Sequence, residues 1–196
     1  LKDRKIDWYV VATPDSTHYK IVKKILKSGF NVFCEKPLTL TFKESLKLIK
    51  LSKKKNTKLF ISEIEIFKKK RFFIKKKNFI YRSKFTKDKK FDVLNKLFYH
   101  DLYLLHKYIK KKKLKKISYL QKKKSVKISL GNSFEEFNFQ YNIKNYTKIN
   151  KINSTNLRTK KDYISVMFKK VMAGKVNYDL NHERALFCNK LIKKIK

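Results

Sequence analysis

DWYVVATPDSTHYKIVKKILKSGFNVFCEKPLTLT, residues 7–41, is the most informative stretch of this chain. Ile6 to Ala12 is a short continuous apolar run, which predicts a strand buried on both faces, as in a parallel sheet. Thr13-Pro14-Asp15-Ser16 breaks it. Ile21, Val22, Ile25 and Leu26 follow at helical spacing, and Gly29 stands where a C-terminal cap belongs. Asn31 to Cys34 is a second short apolar strand, with Cys34 read as a packing residue. Strand, helix and strand over about 30 residues make a βαβ unit, whose crossover is expected to be right-handed.

Further along the chain, Thr41 and Glu44 form a capping box ahead of a helix with Phe42, Leu46 and Ile49 on one stripe. Leu59 to Phe67 alternates apolar and polar residues and predicts another strand. The texture then changes. Phe79 to Phe85 reads as a strand, and Val93 to Ile109 as a helix with Leu94, Leu97, Leu104, Leu105 and Tyr108 near one face. Short strands are expected near 116–121, 125–130, 134–143 and 145–152. Phe137, Phe139, Tyr141 and Ile143 alternate with polar residues, which suits an antiparallel sheet covered on one face. Helices near 160–173 and 179–195 follow. The fold class is α/β: a partial Rossmann domain, with a doubly wound parallel sheet, over 1–66, then an α+β substrate and oligomerisation domain with a mostly antiparallel sheet over 67–196.

Both early strands end in turns that open on one crevice at the carboxyl edge of the sheet, where dinucleotides bind in doubly wound folds. Thr13 and His18 lie at a helix start, where free amides and the dipole favour phosphate. Glu35 and Lys36 leave the next strand at the same edge. A lysine partly desolvated beside a cationic ring has its pKa lowered and can exchange protons near neutrality. The other reading of His18 is a plain helix cap.

The ordered set Ala12-Thr13-Pro14, His18, Ser28-Gly29 and Glu35-Lys36-Pro37 before a Thr-capped helix resembles the Gfo/Idh/MocA family, the relatives of glucose–fructose oxidoreductase and inositol dehydrogenase. The resemblance implies NAD or NADP as cofactor and a sugar, polyol or nucleotide sugar as substrate. It implies that Thr13, Pro14, His18, Glu35, Lys36 and Pro37 form the cofactor side, with Glu35 on the nicotinamide ribose and Lys36 on the reacting hydroxyl or carbonyl. A cis Lys36-Pro37 bond is an expectation of the same reading. Leu97-Phe98-Tyr99-His100-Asp101-Leu102 resembles the family's substrate-domain helix. That makes His100 a second catalytic candidate, with an ordinary helix residue as the alternative, and puts Asp101 on the substrate side. Family members often carry Asp four residues before this His. Here Lys96 stands there, so the usual relay pair is incomplete, and Lys96 becomes a candidate for an acidic substrate group. Lys36, His100 and Lys96 are expected to face one cleft. His106 and His182 carry no motif. No metal site is expected.

The chain has only three glycines and no G-x-G-x-x-G. It begins with Leu1 and enters a buried-looking segment almost at once. The first strand, Gly-rich turn and adenosine-binding strand are therefore expected upstream, a non-standard start codon being the alternative.

Formal net charge is +38, from 53 basic against 15 acidic residues. Taken alone, that points to nucleic acid or an anionic surface. Only Arg4, Arg71, Arg82, Arg158 and Arg184 are arginines, however, and the planar guanidinium is the better phosphate reader. Runs such as Lys53–Lys55, Lys68–Lys70 and Lys122–Lys124 spread the charge over nearly every segment, which suits solvated faces. Lysine, Ile, Asn, Phe and Tyr share AT-rich codons, so base composition accounts for much of the excess. The distant pair Cys34 and Cys188 predicts a reducing cytoplasm. No apolar run reaches the roughly 20 residues that span a membrane. The first reading is an oxidoreductase acting on CH–OH groups, homo-oligomeric through its sheet domain. A catalytically silent relative and a basic nucleic-acid-associated protein are the alternatives.

Overall fold

The computed structural model describes residues 6–68, 70–88, 91–122, 125–147, 149–159 and 161–195. Lys69, Lys123 and Lys124 of the lysine runs, and Lys160 at the expected start of a closing helix, lie outside them. Among the described residues, no helix is long and apolar enough to cross a membrane.

The chain forms two compact units. The first takes residues up to Phe67 together with Tyr163–Lys194; the second takes Lys68–Asp162. This differs from a division that gives everything after 67 to one second domain. The reason lies in the apolar faces of the last two helices, which pack on the parallel sheet.

That sheet has three parallel strands in the order β1 (Trp8–Val11), β2 (Asn31–Cys34), β3 (Leu59–Ile61). Trp8 to Val11 pairs in register with Asn31 to Cys34, and Val32 to Cys34 with Leu59 to Ile61. α1 (His18–Lys27) joins the first two strands and α2 (Phe42–Lys54) the next two. Side chains alternate across a strand. Val11, Val32, Cys34, Leu59 and Ile61 therefore share one face with Val22 and Leu26 of α1 and Leu48 and Ile49 of α2. Phe33 and Phe60 face the other way, onto Met167 and Val171 of α5 (Tyr163–Met172). Phe33 stacks on Phe168 at 4.2 Å. Each fully buried Val, Leu or Phe here contributes about 1.5–3 kcal/mol relative to exposure. β1 is the edge strand and is not buried on both faces: Val10 is 54% exposed.

Gly29 takes φ +82 at the end of α1, a backbone that side chains with a Cβ rarely adopt. Thr41 caps α2 by accepting the Glu44 N–H at 3.2 Å, and its hydroxyl donates to the Glu44 carboxylate at 3.1 Å. The expected strand over 59–67 stops at Ile61, and α3 (Ile64–Phe67) comes after it. The alternating pattern also fits i, i+3 spacing, and Ile64 and Phe67 both pack on the Phe33 and Phe60 side of the sheet. α6 (Tyr178–Ile195) closes the unit. Its Asn181 lies against the outer edge of β3, where the side-chain amide donates to the Ile61 carbonyl at 2.8 Å and accepts the Ile61 N–H at 2.9 Å.

The second unit is a six-stranded sheet ordered β5-β6-β7-β4-β8-β9. The strands are β4 (Lys77–Ser83), β5 (Lys116–Lys122), β6 (Ser125–Gly131), β7 (Glu136–Asn142), β8 (Asn150–Ile152) and β9 (Thr155–Asn156). Only β4 and β7 pair in parallel; the other neighbours are antiparallel. Val126, Ile128, Leu130, Phe137, Phe139 and Tyr141 are buried, as their alternation predicts. A π-helical turn, Leu94–Phe98, leads into α4 (Tyr99–Ile109). This wide turn shifts the helical phase of α4 relative to the residues before it. Leu102, Leu105 and Ile109 become core, whereas Leu104 and Tyr108 are only half-buried. Phe98 meets Phe139 edge to face at 4.8 Å.

Candidate functional site

The three parallel strands end together. The Glu35 N–H donates to the Val11 carbonyl at 2.8 Å, and the Ser62 N–H to the Cys34 carbonyl at 2.8 Å. The ladder thus runs one residue past each strand before the turns leave it. Ala12-Thr13-Pro14, Glu35-Lys36-Pro37 and Ser62-Glu63 stand side by side at the carboxyl edge. This is where doubly wound sheets place their ligands.

Thr13 and Pro14 are exposed. The Thr13 and Thr17 hydroxyls lie 2.7 Å apart, and Thr17 closes the turn by donating to the Pro14 carbonyl through its hydroxyl and its N–H. Glu35 and Lys36 are half-buried, and Pro37 is buried. The Glu35 carboxylate accepts the Lys36 N–H at 3.3 Å. The Lys36-Pro37 bond is cis.

His18 departs from the expectation of a cofactor contact. Its side chain is wholly buried at 0% exposure, with Nδ1 at 2.8 Å from the Pro37 carbonyl and Nε2 at 2.8 Å from the Thr13 carbonyl. Both ring nitrogens lie against main-chain carbonyls, and neither meets an N–H of α1. The ring ties the two turns together.

Two residues of the edge escaped the motif reading. Glu63, two residues past the end of β3, is buried and accepts from Arg184 of α6 at 2.9 and 3.1 Å. Burial pushes the Glu63 carboxyl up, against the pull of Arg184. A charged residue in the turn after a third short strand was the available signal; its partner, 121 positions away, left none. Burial also pushes the Cys34 thiol up, reinforced by the negative charges of Glu35 and then Asp15. Burial, then Glu63, raises the Cys188 thiol, while Arg184 and Lys36 oppose. Glu35 and Asp15 thus act on one buried thiol, and Lys36 acts on the other.

In the second unit, His100 is half-buried on α4, with Nδ1 at 2.8 Å from the Tyr103 hydroxyl. Lys96 is half-buried in the π-helical turn. Asp101 is not available to a substrate. It is 0% exposed and takes the Arg82 guanidinium at 2.7–2.9 Å and the Tyr141 hydroxyl at 2.8 Å. Its place in sequence next to a candidate histidine made it look like a site residue; its register on α4 turns it into the sheet. Burial, then the Asp101 charge, pushes the Tyr141 phenol well up. Of the unmotivated histidines, His182 is buried and donates from Nε2 to the Leu59 carbonyl at 2.7 Å, and His106 is buried. Among the described residues, no cluster of His, Cys, Asp or Glu is arranged to hold a metal. An open cleft of about 590 Å³, lined by Asp7, Trp8, Asn31, Lys58 and Met172, lies at the amino ends of the strands, away from these turns.

A family model described as oxidoreductase family, NAD-binding Rossmann fold, matches residues 1–63. An uncharacterized oxidoreductase of Schizosaccharomyces pombe is 39% identical over 61 residues, 31% of this chain and 16% of the relative. The D-xylose 1-dehydrogenase (NADP(+)) of Hypocrea jecorina is 41% identical over 61 residues, 31% of this chain and 15% of the relative. The matches to these curated relatives therefore span well under a fifth of their length. The UDP-N-acetylglucosamine 3-dehydrogenase GnnA of Acidithiobacillus ferrooxidans superposes with a TM-score of 0.81 at 15% identity, over 97% of this chain and 78% of that one. The fold is shared through both units.

Proposed function

We propose, on the match of residues 1–63 to the NAD-binding Rossmann model of the Gfo/Idh/MocA oxidoreductases, that the chain serves hydride transfer between a nicotinamide cofactor, NAD or NADP, and the carbinol carbon of a sugar, polyol or nucleotide sugar. The observation that carries this reading is the junction of the turns. Glu35 sits on the Val11 carbonyl, so the Thr13-Pro14 and Glu35-Lys36 turns share one edge of the sheet.

The residues of that edge suit the nicotinamide end of a dinucleotide. A ribose hydroxyl needs an acceptor, and Glu35 offers a half-buried carboxylate whose bond from the Lys36 N–H is long at 3.3 Å. The exposed Thr13-Pro14 turn gives a surface for close approach. The chain has no G-x-G-x-x-G to cradle a pyrophosphate, so nothing is assigned to that end. When bound, the nicotinamide ring supplies the hydride acceptor or donor. Lys36 holds or takes the proton of the reacting hydroxyl at Nζ. His100 is the second proton-handling residue, and Lys96 takes an acidic group of the substrate. His18 and Asp101 are not contact residues, because main chain takes the one and Arg82 and Tyr141 take the other.

The test is an oxidation assay of the full chain with NAD and NADP against a panel of aldoses, cyclic polyols and UDP-sugars, following the reduced nicotinamide. Lys36→Ala is expected to lower turnover by about two to four orders of magnitude, the usual range for a lost proton-transfer group. Unchanged turnover removes Lys36 from the mechanism. Lys96, standing where relatives often carry an Asp, favours one rival: a silent relative. It predicts NADH binding, seen by fluorescence, with no turnover on any substrate. Self-association through the sheet unit is part of the proposal, since Phe79 and Leu120 of that sheet are themselves 61% and 51% exposed. Light scattering of the full chain and of Phe79→Glu checks it. The two free buried thiols suit a reducing cytoplasm.

A further inference from the structure

His18 has two acceptors and, as a neutral ring, one hydrogen to give. The carbonyl oxygens of Pro37 and Thr13 each lie 2.8 Å from a ring nitrogen, in a place with no solvent exposure of the side chain. A carbonyl oxygen only accepts. A neutral imidazole carries N–H on one nitrogen and a lone pair on the other. In that form one of the two contacts would set a lone pair against a carbonyl oxygen at bonding distance, away from bulk solvent. Both contacts are hydrogen bonds only when both nitrogens carry hydrogen.

We propose that His18 is a doubly protonated imidazolium that ties the turn after β1 to the turn after β2, and that it is a positioning residue for Lys36. Asp15 from its own 3-10 turn and Glu35 from the facing turn both bear on Cys34, immediately before the second turn. Lys36 is the cation of the facing turn. The tie acts on the peptide that leaves the cis Lys36-Pro37 unit, since the carbonyl it holds is that of Pro37, and on the other side of Lys36 its own N–H makes a long bond to the Glu35 carboxylate. The backbone on both sides of Lys36 is thereby fixed. His18 needs no contact with cofactor or substrate for this. Displacing a reacting group by about 1 Å costs up to about a hundredfold in rate.

The charge of the ring is independent of the enzymatic reading; the positioning role rests on it. In the ¹⁵N-labelled full chain, long-range ¹H–¹⁵N correlation of the histidine rings is expected to show hydrogen on both nitrogens of His18, assigned by its loss in His18→Gln. A ring with one bare nitrogen overturns the charged tie, whatever the variants do. In the oxidation assay, His18→Gln and His18→Leu are expected to lower kcat by about tenfold to a hundredfold with little change in KM for the alcohol, and with Gln retaining more activity than Leu because it can still donate. Undiminished kcat in folded His18→Leu overturns the positioning role while leaving Lys36 in place. An inert Lys36→Ala overturns the Lys36 reading instead, and the ring correlations still decide the charge. If both His18 variants fail to fold, the wild-type correlations remain decisive for the tie.

Discussion

Each unit buries a nitrogen-bearing side chain, and the two are held by different kinds of partner. In the second unit, Arg82 meets the Asp101 carboxylate through two nitrogens, Tyr141 completes the acceptor, and the group sits between β4, β7 and α4 with Asp101 at 0% exposure. In the first unit, His18 is just as buried, but its partners are main-chain carbonyls of two turns at the sheet edge. Charge paired with charge inside a core locks one packing and leaves nothing for a ligand. A ring bonded to backbone fixes the path of the turns and leaves Glu35 and Lys36 half-buried beside them. A conspicuous polar residue next to a candidate catalytic group is therefore weak evidence of contact with substrate. What its own acceptors are decides the matter, and Asp101 and His18 both fail that test in opposite settings.

The contrast breaks first at Asp101. Asp101→Ala leaves the Arg82 guanidinium in the core without this carboxylate and is expected to cost about 3–5 kcal/mol of unfolding free energy. Chemical denaturation measures it, and a loss well under about 1 kcal/mol would mean the pair is not buried in solution. The same measurement on Lys36→Ala should show a far smaller change, since that side chain is half-buried at an edge. Gly29→Ala comes next. Nothing lies within 4 Å of the added Cβ, so its cost is purely that of φ +82. About 1–2 kcal/mol is expected, and thermal unfolding reads it. Thr41→Ala removes the acceptor of the Glu44 N–H and should cost about 1 kcal/mol. Glycine at 41 should cost only a few tenths.

The smallest effect is a slope. Burial holds His182 below its ordinary value of 6.5, partly offset by its bond to Leu59. Its neutral form is the folded form, and the unfolded chain takes up the proton first as pH falls. The stability tied to His182 is thus present above 6.5 and is lost as pH drops through it. Denaturation between neutral and mildly acidic pH should show that decline, and His182→Asn should flatten it.

The first βαβ unit was legible because everything that defines it is local: an apolar run, a breaker, a helical stripe, a glycine and a second run within 7–41. The alternating strands β6 and β7 were legible for the same reason. The length of β3 was not, since Ser62 to Phe67 satisfies a strand and a helical turn equally. The return of α5 and α6 to the parallel sheet was not legible either. Met167, Val171 and Ala185 mark apolar faces but say nothing of which surface receives them. In the candidate site, Lys36 and Glu35 were found by position at a strand end. His18 was found, but its two carbonyl partners were not, because hydrogen-bond acceptors on the main chain leave no trace in residue identity. The Glu63–Arg184 pair spans 121 positions and could only be seen folded.

Asn181 carries a consequence for biosynthesis. Its side chain imitates a neighbouring strand, meeting both the donor and the acceptor of Ile61 from 120 residues further along the chain. During translation, the sheet emerges from the ribosome long before α6 exists. At about 5–20 residues per second, the intervening stretch takes on the order of ten seconds to synthesise. For that interval the outer edge of β3 is a raw pairing surface, of the kind that recruits foreign strands. A nascent chain arrested before residue 181 should therefore be held by chaperones or precipitate, and one extended past α6 should be released.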